Sequence, residues 1–370
     1  MNFENEPQPH APKRRDISLF EGIRTFAASV GTAALLMLSV CGLIGLPLPE
    51  NAAAHAVSAS HITAKTETVR TVQLGGDVFG IKLFSDGVIV AALSEIYADG
   101  GLKCPASEAG IQPGDYILSV NGNNVETNAA LSAVLSENET NTLTLRRGTE
   151  TFTAQVTSVL CEGSYKAGMW VRDSAAGIGT LTFYDPATGV FAGLGHGICD
   201  MDTNGVMALK SGEPAPITLS GIVKGQADSP GQLRGYFSSE ESLGTLLANR
   251  ETGVYGTLHQ APAGEAVETL TREEVATGPV QLLVSLDETG PQLYEAEIQE
   301  IINRDKTTKN LVVQVTDPRL LERTGGIVQG MSGAPILQNG KLAGAITHVF
   351  TEDPTLGYGI FISNMLEGMP

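Results

Sequence analysis

The chain has 370 residues, 42% hydrophobic and 17% charged, with 43 Gly and 18 Pro. These figures exclude an intrinsically disordered chain and a coiled coil, and they favour β structure with tight turns. The net charge of −18 argues against binding a phosphate backbone, and no nucleic-acid partner is expected.

Residues 1–25 form a tail in which four basic groups (Lys13, Arg14, Arg15, Arg24) balance four acidic ones (Glu4, Glu6, Asp16, Glu21). The run Phe26–Leu46 is uncharged and matches the roughly 20 residues a membrane helix needs. Basic residues precede it, so the positive-inside rule puts residues 1–25 in the cytoplasm and the bulk of the chain outside. A signal anchor over 26–46 is the first reading. A cleaved signal peptide is the second, because Ala52-Ala53-Ala54 and Ala54-His55-Ala56 fit a small-residue cleavage site. Residues 47–67 read as a linker. Of the four Cys, Cys41 lies in the apolar run, and Cys104, Cys161 and Cys199 form no CxxC pair. Neither a disulfide framework nor a metal site is expected.

Residues 68–158 show short alternating strands at 78–83, 87–93, 115–120, 142–146 and 152–156, with a helix over Asn128–Ser136. The run Pro105–Val125, PASEAGIQPGDYILSVNGNNV, carries turns at Pro113-Gly114-Asp115 and Asn121-Gly122. This run resembles a PDZ domain. The resemblance implies a loop that offers backbone N–H groups to a peptide carboxylate, and Val78, Phe79, Gly80 and Ile81 are read as that loop. A peptide C-terminus or internal segment would pair alongside it by β-augmentation.

Residues 159–370 are rich in short strands and Gly turns, which suggests a sandwich or barrel. The chemistry concentrates in Gly330-Met331-Ser332-Gly333-Ala334-Pro335. A serine nucleophile needs backbone N–H donors aimed at an oxyanion, and the amides of Gly330 and Ser332 can supply two. Of the six His, His10, His55 and His61 precede the exported modules. Among His196, His259 and His348, the Gly-flanked His196 suits a tight loop exposing the ring, so it is the candidate base.

The stretches Gly177–Asp200 and Thr316–Ile362 resemble the stage IV sporulation protein B family of serine peptidases. The order of membrane segment, PDZ domain and peptidase domain agrees with that family. The resemblance implies that His196 is the base, Ser332 the nucleophile and Asp317 the acid. It extends more loosely to chymotrypsin-like peptidases, a double β-barrel fold. Asp317 stands only 15 residues before Ser332, earlier acids being usual in that class. Asp317 therefore either orients His196 or caps the turn that begins at Pro318. Asp287 and Asp202 are the next candidates, and a His–Ser pair oriented by a non-carboxylate group stays open. In a chymotrypsin-like arrangement, Ile346, Thr347 and His348 would pair with substrate backbone.

The fold expected is mainly β: a transmembrane helix, an α+β PDZ domain (68–158) and a double-barrel peptidase domain (159–370). The resemblance implies a membrane-tethered signalling protease of endospore formation. It would work between the membranes of the developing spore, cleaving the extracytoplasmic part of a membrane regulatory complex. That cut would trigger intramembrane proteolysis and late sigma factor activation, and self-cleavage near the N-terminus is a family trait. No cofactor is expected. A non-catalytic PDZ adaptor and a general envelope quality-control protease are the alternatives. The intact Ser332, His196 and Gly330 count against the first, and the PDZ-first order against the second.

Overall fold

The computed structural model describes residues 67–98 and 100–370; the expected tail, membrane anchor and most of the linker lie outside them. Among the described residues, no helix is long and apolar enough to cross a membrane. The described residues belong to one compact unit.

The unit is mainly β, and two long strands organise it. Val78–Leu93 and Met169–Asp185 run antiparallel over nearly their full lengths, from Thr180↔Val78 to Met169↔Leu93, with two register shifts. One end of this ribbon belongs to the expected PDZ module and the other to the sheet of the expected peptidase domain. At the PDZ end, Val88 and Ile89 pair with Tyr116–Val120, which leads on to Thr140–Arg147 and Glu150–Thr157. At the peptidase end, Met169–Asp185 pairs with Val190–Gly193, then Gly253–Leu258 and Gly244–Arg250. All of these form one 12-stranded sheet.

Leu209–Ala215 belongs to that sheet as well: it pairs with Val78–Leu93 and meets the start of Gly244–Arg250, where the Leu243 amide donates to the Pro214 carbonyl at 2.7 Å. Among the described residues a closed barrel stands beside the sheet, built from six strands: 278–285, 291–301, 311–315, 356–361, 341–349 and 335–338. Its inward residues, including Val280, Leu282, Val313, Ile336 and Phe361, are buried together. Alternation along each strand puts every second side chain inside.

The expected loop at Val78–Ile81 is instead strand. Gly80 and Ile81 face Ile178 and Gly177 on one edge and Ala215 and Pro214 on the other. Phe79 and Ile81 are buried against Leu181, Phe191 and Leu194. With both edges occupied, this segment cannot add a peptide strand, and residues 71–83 pack with the peptidase sheet.

The PDZ module has its own core, including Val88, Ile117, Leu131, Leu143 and Val156. Its helix, Asn128–Glu137, starts at a Thr127 cap whose Oγ1 accepts from the Ala130 amide at 3.1 Å. Leu131 and Leu135 are its buried residues, one turn apart. Ala129, Ala130 and Ala133 are exposed, and Val134 packs against the edge of the core that the two leucines fill. Asp115, in the Pro113-Gly114-Asp115 turn, is fully buried and accepts Arg147 Nε at 2.7 Å and Nη2 at 2.8 Å. This bidentate pair ties the turn to the end of the strand Thr140–Arg147.

Between that helix and Gly168–Val171 lies a groove of about 450 Å³, which also takes in Leu131, Ser132 and Leu135. Met169–Val171 pairs with Val90–Leu93 along one edge. Among the described residues no strand covers its other edge.

Candidate active site

The nucleophile loop starts where the helix Pro318–Thr324 ends. Gly325 closes that helix in the left-handed region at φ 75°. The chain then runs through Gly330, at φ +101°, and Gly333, at φ +96°. A Cβ on Gly333 would sit 2.0 Å from the Thr180 carbonyl oxygen. Only glycine meets both demands there.

Peptide planarity sets where the loop's N–H groups point. In a trans peptide the N–H lies opposite the preceding carbonyl. The Gln329 carbonyl accepts from the Leu233 amide at 2.8 Å and the Met331 carbonyl from the Ala334 amide at 2.9 Å. The N–H groups of Gly330 and Ser332 are thereby turned away from those donors. Among the described residues neither meets a protein acceptor. Two free donors flanking a serine can hold an oxyanion.

Ser332 and His196 line one cleft of about 780 Å³. Ser332 Oγ donates to the Thr347 carbonyl at 2.7 Å. His196 sits on a tight loop after Val190–Gly193, in which Leu194 and Gly195 both have φ +66°. A left-handed Leu is a strained conformation that its surroundings must enforce. Its side chain fills the space over Gly179, where a Cβ would come within 2.0 Å of it.

His196 Nδ1 lies 2.8 Å from the Gly197 carbonyl. A carbonyl can only accept, so Nδ1 carries the proton and Nε2 is left as the acceptor. Burial pushes the His196 pKa below the ordinary histidine range; the bond to the Gly197 carbonyl opposes this and the Lys309 charge adds to it. The His348 ring lies 4.6 Å from that of His196, centroid to centroid. Burial, then His196 and Lys309, push the His348 pKa down to about 4.

The remaining expected residues fall elsewhere. Asp317 is buried and caps the helix Pro318–Thr324: Oδ1 accepts from the Arg319 amide at 2.8 Å, Oδ2 from the Arg319 Nη2 at 2.7 Å and from the Glu295 amide at 3.2 Å. Those donors hold its carboxyl down at about 2. The structure does not bring Asp317 to His196. Asp287 pairs with Arg323 and Asp202 with Arg172, so neither reaches the imidazole. Ile346 has no free edge, because its amide donates to the Ala334 carbonyl and its carbonyl accepts from the Gly333 amide. Thr347 and His348 do line the cleft. His259 lies apart, with Nε2 3.3 Å from Ser242 Oγ. Among the described residues, no group of three or more His, Cys, Asp or Glu is placed to hold a metal ion.

The model of the SpoIVB peptidase S55 family matches residues 163–366, more than half of the chain. The chain belongs to this family. It is a serine peptidase, and a PDZ domain model matches residues 97–147. No curated protein matches the chain. Among solved structures, it is similar to Rv3671c from M. tuberculosis H37Rv, a serine-to-alanine mutant in an inactive form. That likeness has 13% identity and a TM-score of 0.28, over 52% of this chain and 79% of the other. At that score it carries no argument about the site.

Three residues in or behind this peptidase's cleft were not singled out from sequence. Lys309 lines it, with its ammonium 5.2 Å from the centre of the Tyr358 ring. Thr180 and Thr182 hydrogen-bond to the nucleophile loop. The signal available was the T-x-T alternation within Gly177–Asp200, which puts both hydroxyls on one face of a strand.

Proposed function

We propose that Ser332 is the nucleophile of this peptidase and His196 its general base, oriented by the Gly197 carbonyl in place of a carboxylate. The observation that carries the reading is the pair of unengaged amides at Gly330 and Ser332, beside a serine that shares its cleft with a histidine of the right tautomer. In the reaction, Ser332 Oγ leaves the Thr347 carbonyl, gives its proton to His196 Nε2 and attacks the peptide carbonyl. The two amides hold the oxyanion, and His196 returns the proton to the leaving amine. Thr347 and His348 form the wall against which the substrate backbone lies.

The second part of the proposal concerns partners. A peptide with a free carboxyl end would add as a strand along the open edge of Met169–Val171, under the helix Asn128–Glu137. This replaces Val78–Ile81 as the peptide site. The chain is proposed to be tethered by residues 26–46, with the remainder in the space between the membranes of a developing spore. There it would cut the extracytoplasmic part of a membrane regulatory protein as a signal for intramembrane proteolysis. The support is family membership, the uncharged run Phe26–Leu46 and the basic residues before it.

The test is the full chain in membranes, wild type beside Ser332→Ala. Wild type is expected to release a fragment beginning within residues 47–67, and Ser332→Ala to stay whole and membrane-bound. Release of the same fragment from Ser332→Ala would overturn self-cleavage by this site.

A further inference from the structure

We infer that Thr180 and Thr182 are positioning residues of the peptidase, holding the nucleophile loop in the one form that aims both oxyanion donors into the cleft. The inference rests on the reading of Ser332 as nucleophile.

Both threonines are fully buried on one face of Met169–Asp185. Thr180 Oγ1 donates to the Gly330 carbonyl at 2.8 Å, and the Thr180 amide to the Ser332 carbonyl at 2.8 Å. Thr182 Oγ1 donates to the Gly333 carbonyl at 2.8 Å. Together with Leu233 and Ala334, these donors engage every carbonyl from Gln329 to Gly333. The planes that carry the two oxyanion donors alternate with planes held by Thr180.

That matters because the loop contains two left-handed glycines, and glycine allows a peptide plane to turn over at little steric cost. A turned plane would put a carbonyl oxygen where the oxyanion must sit and destroy the hole. Removing the Thr180 hydroxyl leaves the buried Gly330 carbonyl without its donor, and rotation of that plane becomes its route to a partner. Thr180 also accepts, through its own carbonyl, from the Leu194 amide at 3.2 Å. One residue thus ties the loop of Ser332 to the loop of His196. A role confined to holding the sheet against the barrel would make the same bonds, so the two must be separated by kinetics.

The experiment uses the full chain and a fluorophosphonate probe, which modifies an activated serine. The maximal inactivation rate, the probe affinity and the melting temperature are read for wild type, Thr180→Val, Thr180→Ser, Thr182→Val and Ser332→Ala. Wild type is expected to label and Ser332→Ala not to. Loss of one oxyanion donor costs 10²- to 10³-fold in other hydrolases, so Thr180→Val is expected to slow the maximal rate by about 10- to 100-fold. Its probe affinity should stay within about twofold of wild type, the pattern of a group that acts only in the transition state. Thr180→Ser, which keeps the hydroxyl, should recover the rate. A folded Thr180→Val at the wild-type rate, or a Thr180→Ser as slow as Thr180→Val, would overturn the inference. Unfolding of both Val variants would also overturn it, by assigning the hydroxyls to stability. A wild type that does not label would instead bring down the nucleophile reading and this inference with it.

Discussion

Asp317 and His196 are held by different neighbours, and this decides what each can do. Among the described residues, the Asp317 carboxylate is held by the Arg319 amide and guanidinium and by the Glu295 amide. Asp317→Asn is therefore expected to lower stability by about 1–2 kcal/mol, with the labelling rate of Ser332 nearly unchanged. Paired melting and labelling measurements check this; a large loss of rate at constant stability would restore Asp317 as the orienting acid. Its folded pKa of about 2 lies below the ordinary 3.8. The stabilisation is thus present above the ordinary value and lost as pH falls through about 2, and Asp317→Asn should remove that dependence. For His196, a lowered pKa means the neutral base persists into mild acid. The acid limb of the rate against pH is expected below the ordinary histidine value of 6.5. Lys309 disfavours the imidazolium, so Lys309→Asn, which tolerates the left-handed backbone at φ 54°, should move that limb upward. An unmoved or downward-shifted limb would contradict the placement of Lys309. At this scale the sequence was most legible where function is local. Gly330-Met331-Ser332-Gly333 was read from a single hexapeptide. Thr180 was not, because its partner Gly330 is 150 residues away and nothing near either residue announces the contact.

The two long strands show why one element was misread. Val78–Ile81 alternates, contains a glycine and precedes a PDZ-like run, all of which a peptide-binding loop would share. What separates the readings is the presence of Leu209–Ala215 and Met169–Asp185 on its two edges, and long-range pairing leaves no local mark. Phe79 is buried against Phe191, with ring centroids 5.8 Å apart in an edge-to-face arrangement. Phe79→Ala is expected to cost about 3–5 kcal/mol of stability, measured by chemical denaturation. A stable Phe79→Ala that fails only in peptide binding would return the segment to the PDZ groove. Ser132 is exposed on the helix Asn128–Glu137 and lines the groove proposed in its place. Ser132→Trp should fill that groove. Affinity for peptides with a free apolar C-terminus is expected to fall at least tenfold in fluorescence titration, with Ser332 labelling retained. Unchanged affinity would exclude the groove.

Across the molecule, the PDZ module and the peptidase share strands instead of meeting through a linker. The ribbon of Val78–Leu93 and Met169–Asp185 belongs to both, and Ala167, Met169 and Val171 pack with the PDZ core. The order of modules and the β-rich class were legible because each has its own local signals: the Gly-Asp turn for one, the serine hexapeptide for the other. The joining of the first barrel's strands to the PDZ strands in one sheet was not, since pairing depends on which strands meet and not on their composition. The central claim is that one serine, activated by one histidine without a carboxylate, does the chemistry. Its most direct test is intact-mass and peptide-mapping analysis of the full chain after fluorophosphonate treatment, with Ser332→Ala and His196→Ala alongside. The account predicts a single adduct on Ser332, none in Ser332→Ala, and labelling slowed by several orders of magnitude in His196→Ala. An adduct on another residue, an adduct in Ser332→Ala, or wild-type labelling in His196→Ala would contradict it.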